Sequence, residues 1–154
     1  MAGLTNREIV ERFVQAQASA VPGAGDEYIA ADVLEDYPQS GERIRGLANR
    51  RAIFDNYPGR AEHEFGPNAV RAVVGDDQWV MTPTMTLVRV NGSGERFTAT
   101  GLITYPNGDT WHLVQLIELR GGNIARLTTY FAAPFEAPAW RTRWVERIPD
   151  GGAA

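Results

Sequence analysis

Apolar positions follow two rhythms along this chain, one up to Tyr57 and another from Ala69 onward. Thr5 and Glu8 stand at capping-box spacing, hydroxyl to a free amide and carboxylate back to the cap amide. Behind them Ile9, Val10, Phe13, Val14 and Gln17 recur at i, i+3 and i+4, which predicts an amphipathic helix running to about Ala20. Pro22-Gly23-Ala24-Gly25 stops it. Asp26 is placed to cap a brief second helix over Glu27–Ala31, before a strand that starts at Val33. A third helix is expected over Leu47–Tyr57, with Leu47, Ile53, Phe54 and Tyr57 toward the core and Arg50, Arg51 and Asp55 toward water. Pro58-Gly59 ends it.

From Ala69 the period is two. Strands are predicted over Ala69–Val74, Gln78–Val90, Glu95–Tyr105, Thr110–Arg120 and Ile124–Ala132. The links GDD, NGSG, PNGD and RGGN are turns with Gly or Asn available for positive φ, so the strands form an antiparallel meander. Pro83 cannot donate to a ladder and marks an edge or bulge in a long bent strand. Helices followed by a strongly bent sheet make the fold class α+β.

A two-residue turn at Asn107-Gly108 would set Thr104 opposite Trp111, Leu102 opposite Leu113 and Thr100 opposite Gln115. Trp111, Leu113, Gln115, Ile117 and Leu119 then share one face. His112, Val114, Leu116 and Glu118 share the other with Phe97, Ala99, Gly101 and Ile103. Both faces are largely apolar, more than a free antiparallel sheet needs, so one should cup the helices and the other meet a second subunit as a homodimer. The parity of the last strand depends on the turn before it. A three-residue loop at Arg120-Gly121-Gly122 brings Leu127, Thr129 and Phe131 to the Gln115 face, whereas a two-residue turn brings Thr128 and Tyr130. Trp140 and Trp144, one helical turn apart, are expected to close a rim of the core. Exposed, they would mark a protein-binding surface.

Composition narrows the class without naming a reaction. At 154 residues the chain is a single domain, residues 1–148, with a loose tail over 149–154. Having no cysteine, it can form no disulfide, thiolate metal site or cysteine nucleophile. Net charge is −4 and the arginines form no basic stripe, which speaks against nucleic acid as a partner. No signal peptide and no run of 18 apolar residues is apparent, so a soluble cytoplasmic protein with no membrane partner is expected. Two histidines at irregular spacing, His63 and His112, predict no metal site.

The stretch Val33–Gly46, VLEDYPQSGERIRG, concentrates the candidate chemistry: a strand, a Pro turn, a second extended piece and a Gly that releases the chain into a helix. Asp36 sits at the end of the first strand beside Tyr37. In a dry pocket such a carboxylate would accept a proton from carbon next to a carbonyl, because desolvation raises its proton affinity. Its alternative role is a turn residue bonding nearby amides. Gln115, between apolar neighbours on a strand, would polarise a ligand carbonyl or bond Asp36 or Thr100. His112 enters such a pocket only if the register slips by one residue. No Ser-His-Asp set or Gly-rich phosphate loop is present.

Over Asn6–Ala133 the chain resembles the nuclear transport factor 2-like superfamily, which includes ketosteroid isomerase, SnoaL-type polyketide cyclases, scytalone dehydratase and limonene epoxide hydrolase. The resemblance rests on the element order, on VLEDYPQSGERIRG, on VRAVV and on LIELRGGNIARLTTYF; the tail FAAPFEAPAWRTRWVE is similar to a SnoaL-like subgroup. It implies a cone with the N-terminal helices in the concave face of a curved sheet. It puts Asp36 at the general base of ketosteroid isomerase, Gln115 at its oxyanion-binding acid, and Phe13 or a neighbour where the oxyanion phenol would be. It also favours Leu127, Thr129 and Phe131 pointing inward. A cofactor-free isomerase, cyclase or dehydratase is implied, acting on a small hydrophobic carbonyl compound. Asp36 and Gln115 would be catalytic, and Leu34, Tyr37, Trp79, Met81, Trp111, Leu113, Leu127 and Phe131 would bind substrate. The alternative is a catalytically silent ligand-binding or dimerisation module on the same fold.

Overall fold

A computed structural model describes residues 3–18, 21, 23–56, 79–81, 85–104 and 110–148. The expected strand over 69–74, His63, Pro83, the Asn107-Gly108 turn and the tail over 149–154 lie outside the described residues. The elements are α1 (Asn6–Ala18), β1 (Ile29–Tyr37), β2 (Glu42–Arg45), α2 (Leu47–Asp55), β3 (Trp79–Met81), β4 (Met85–Ser93), β5 (Arg96–Thr104), β6 (Thr110–Arg120) and β7 (Asn123–Ala132). They build an α+β fold around one seven-stranded sheet of order β2-β1-β7-β6-β5-β4-β3. Every ladder is antiparallel except β1 with β7.

α1 begins as its cap predicts: the Glu8 amide donates to Thr5 Oγ1 at 3.2 Å and the Thr5 amide to Glu8 Oε2 at 2.8 Å. The Thr5 amide, with the Thr5 hydroxyl donating to the same oxygen at 2.8 Å, holds the Glu8 carboxyl below its usual range. Ile9, Val10, Phe13 and Val14 bury the predicted stripe against Val33, Val90, Phe97, Ala99, Ile117, Leu119, Ile124 and Leu127 of the sheet. Bulges curl that sheet around the helix. The β4–β5 register shifts between Leu87 and Arg89, and the β6–β7 register shifts after Glu118.

The second bulge settles the parity of β7. Gly121 and Gly122 form a two-residue turn closed by Arg120 and Asn123, both glycines at positive φ. That turn alone would bring Thr128 and Tyr130 inward. Leu119 pairs with Ile124 while Glu118 pairs with Arg126, so Ala125 is the extra residue. Leu127, Thr129 and Phe131 therefore face Ile117, Gln115 and Leu113, the arrangement expected from a longer loop and reached by a different route.

Five expectations are corrected. The single bent strand expected over Gln78–Val90 is two strands, β3 and β4, paired antiparallel with each other. The segment after Gly25 is a 3-10 turn over Asp26–Tyr28, Asp26 makes no cap, and the strand starts at Ile29. β5 pairs with β6 one residue out from the expected register: Thr104 faces Thr110, Gly101 faces Leu113 and Ala99 faces Gln115. Phe97, Ala99 and Gly101 thus join the inner face, and Thr98, Thr100 and Leu102 the outer. On α2 Leu47 packs on the core and Arg51 and Asp55 are exposed as expected, but Arg50 is the buried residue, whereas Ile53 and Phe54 are 44% and 40% exposed. Trp140 and Trp144, in a 3-10 helix over Ala139–Trp144, are 74% and 67% exposed and close no rim.

Candidate functional site

Strand parity stacks the inner face in layers. At one end Val33 of β1, Ile117 and Leu119 of β6, and Leu127 of β7 are fully buried with α1. One step along β5, β6 and β7 come Ala99, Gln115 and Thr129, and Glu35 of β1, paired with Leu127, reaches this layer through Thr129 Oγ1. Another step brings Gly101, Leu113 and Phe131, whose ring meets Tyr37 of β1, then Trp111 opposite Ile103. Tyr37, Phe131, Trp111 and Ile103 are only half-buried, so the inner face is dry at one end and accessible at the other.

The middle layer is polar and dry: Glu35, Arg50, Gln115 and Thr129 are each no more than 4% exposed. Arg50 reaches in from α2 and Gln17 from α1. Arg50 Nε donates to Glu35 Oε2 at 2.9 Å and Arg50 Nη2 to Gln17 Oε1 at 2.8 Å. Gln17 Nε2 donates to Gln115 Oε1 at 3.1 Å, and Gln115 Nε2 to Thr129 Oγ1 at 3.1 Å. Thr129 Oγ1 donates to Glu35 Oε1 at 3.3 Å, which closes the ring. A guanidinium can only donate and a carboxylate only accept, so the two charged members dictate the orientation of every amide and hydroxyl between them. Among the described residues no buried side-chain polar atom lacks a partner. Arg50 also lies 4.7 Å from the Phe54 ring centroid and 5.7 Å from that of Phe13, and its Nη1 is 3.9 Å from Asp26 Oδ1. Burial first, then the negative charge of Glu35, pushes the Tyr37 phenol well above its usual pKa. Its ring meets Phe131 edge-on with centroids 5.6 Å apart.

Asp36 belongs elsewhere, because a one-residue step along a strand reverses the face. It pairs with Thr128 on the outer side, and its carboxylate is held by Arg43 Nε at 2.6 Å, Arg43 Nη2 at 2.8 Å and Arg126 Nη2 at 2.9 Å. The Arg43 hydrogen bond, reinforced by Arg126 against the opposing effect of burial, holds its pKa down at about 2. The expectation that Asp36 looks inward beside Gln115 is corrected: the inward acid is Glu35.

The remaining candidates divide in the same way. Tyr37, Trp111, Leu113 and Phe131 share the half-open layers, and Gln115 lies directly beneath them. Leu127 is wholly inside the core, and Leu34 pairs with Arg126 on the outer side. His112 is also on the outer face, opposite Leu102 and Ala132. The ladder aligns Trp79 with Leu87, and Met81 with Met85; their side chains lie outside the described residues. Phe13, expected where an oxyanion phenol would stand, is core, and Gln17 one turn later is the α1 residue that reaches Gln115. Glu35, Arg50 and Gln17 were missed as site residues. The signal for Glu35 was its parity with Val33 and Tyr37, and Arg50 stands three residues after Leu47 on the same helix face. No cluster of three or more metal-ligating His, Asp or Glu side chains occurs among the described residues.

No family model and no curated protein matches the sequence. Among solved structures the chain is similar to an NTF-2-like protein of unknown function from Burkholderia xenovorans, at 31% identity and TM-score 0.71, over 93% of this chain and 94% of that one. A Kribbella flavida protein provisionally named a ketosteroid isomerase superposes with TM-score 0.67 at 20% identity, over 94% of this chain and 90% of that one. A designed protein with a curved sheet does so with TM-score 0.56 at 16% identity, over 93% of each chain.

Proposed function

Since the chain belongs to the nuclear transport factor 2-like superfamily, we propose that it is a small-molecule-binding protein that admits a compact, largely apolar molecule at the half-exposed end of the cone. Tyr37, Trp111, Leu113 and Phe131 form the walls of that hollow, Gly101 leaves room in it, and the ring through Glu35 and Arg50 is its floor. The observation that carries this reading is the succession of layers: a sealed polar layer directly beneath half-buried aromatic side chains.

The same layer argues for binding without proton transfer. A base in this site needs a carboxylate oxygen free to meet substrate. Glu35 is 2% exposed and held by Arg50 and Thr129, and Asp36 is bound by two arginines on the other face. The silent ligand-binding module is therefore favoured over an isomerase, cyclase or dehydratase.

N-phenyl-1-naphthylamine, a neutral apolar fluorophore, should bind with an enhancement in emission. Gly101→Leu, which places a side chain in the hollow, should weaken that binding by about tenfold or more, with the circular dichroism spectrum unchanged. Leu113→Trp fills the same space from β6 and should act alike. Undiminished binding in both variants would rule the hollow out.

The outer face is the proposed contact with a second copy. Thr98, Thr100, Leu102, His112, Val114, Leu116 and Tyr130 form a neutral surface across β5, β6 and β7, with Leu116 and Tyr130 exposed. Sedimentation equilibrium should return twice the chain mass, and Leu116→Glu should return the single chain. A monomeric parent protein would refute this contact.

A further inference from the structure

We propose that the hollow selects uncharged molecules and that the buried Glu35–Arg50 pair is what turns carboxylates away, an inference that rests on the hollow proposed above. Among the described residues the formal charges around the polar layer balance. Glu35 is matched by Arg50, and Asp26, 3.9 Å from Arg50, is matched by Arg51 at 2.7 Å. Arg50 is 4% exposed, with its Nε donating to Glu35, its Nη2 to Gln17 and its Nη1 turned toward Asp26 at 3.9 Å, so its charge is already matched and little of it is presented to a newcomer. The side chains above it, from Tyr37, Leu113, Phe131, Trp111 and Ile103, are all uncharged.

An anion lowered onto this floor would lose its hydration and find, among the described residues, only a cation whose charge Glu35 already balances. It would also meet the Glu35 carboxylate where little water screens like charges. A cation faces the same cost from Arg50. An alcohol or ketone has one polar atom to satisfy and no charge to desolvate, so it alone enters without breaking the ring. Neutral alcohols, ketones and esters are thus the ligand class, and fatty or aromatic acids of the same shape are excluded.

Decanol and decanoate, used to displace N-phenyl-1-naphthylamine at neutral pH, test this directly. Decanoate should be weaker by about tenfold or more in the unaltered protein. Glu35→Gln leaves Arg50 with an unbalanced positive charge and should narrow or reverse that ratio. Asp26→Asn shifts the local charge the same way from outside the ring and should narrow the ratio less, which keeps the test decisive if the first variant folds poorly. Equal displacement by decanol and decanoate, or a ratio that neither variant moves, would overturn the inference while leaving the hollow standing. A protein that binds no fluorophore would overturn both.

Discussion

Arg50→Ala should cost about 3–5 kcal/mol of stability, the range for removing one partner of a buried ion pair. The guanidinium is 4% exposed and meets both Glu35 and Gln17, so its loss strands a carboxylate and an amide oxygen away from water. Against a typical total of about 5–15 kcal/mol, that loss is large enough to move the urea midpoint by whole molar units. The origin of the cost can be separated from simple loss of packing. Removing both charges with Arg50→Met and Glu35→Leu together should recover more than half of it, because the double change buries no lone charge. Urea titrations followed by tryptophan emission check both values. An Arg50→Ala loss below about 1 kcal/mol would mean that the ring is wet and that α2 is held by other contacts.

The same residue shows where sequence reading succeeds and where it stops. The apolar stripe of α1 and its cap were legible because burial there needs no partner beyond the stripe itself. On α2 residue type places Leu47 inward and Arg51 outward correctly, but it puts Arg50 outward and Ile53 and Phe54 inward, where the structure has the opposite. Arg50 is buried because Glu35, Gln17 and the Phe13 ring converge on it from elements distant in the chain, alongside Phe54 one turn on in its own helix, and no local pattern records that convergence. Glu35 and Asp36 illustrate a subtler limit. Two adjacent acids on a strand face opposite sides, so a one-residue choice decides which is inside. The positions of Val33 and Tyr37 pointed to Glu35, whereas the resemblance to ketosteroid isomerase pointed to Asp36. β7 came out with the expected face inward although its turn has two residues, because the bulge at Ala125 restored the parity. A bulge leaves little trace in composition, and neither did the one-residue offset between β5 and β6.

Asp36→Asn should leave fluorophore binding within about twofold of the unaltered protein and should flatten the acid limb of the stability curve. The Asp36 carboxyl, 16% exposed and clasped by Arg43 and Arg126, titrates at about 2 in the folded chain against an ordinary 3.8. A depressed native pKa means that the unfolded chain takes up the proton first as pH falls. The contribution of the cluster is therefore complete above about pH 4 and disappears between roughly pH 4 and pH 2. With both arginines nearly half-exposed, screening reduces its size to about 1–2 kcal/mol. At pH 6 the Asn variant should be less stable by that amount, and near pH 2 the two proteins should converge. One molar salt should shrink the difference at pH 6, since it weakens exposed pairs more than buried ones. The opposite pattern, lost binding with an unchanged acid limb, would put the carboxylate inside the hollow and return it to the role of a base. The outward pairing with Thr128 argues against that pattern, because moving Asp36 inward means slipping β1 by a residue and driving Val33, Glu35 and Tyr37 out of the interior together.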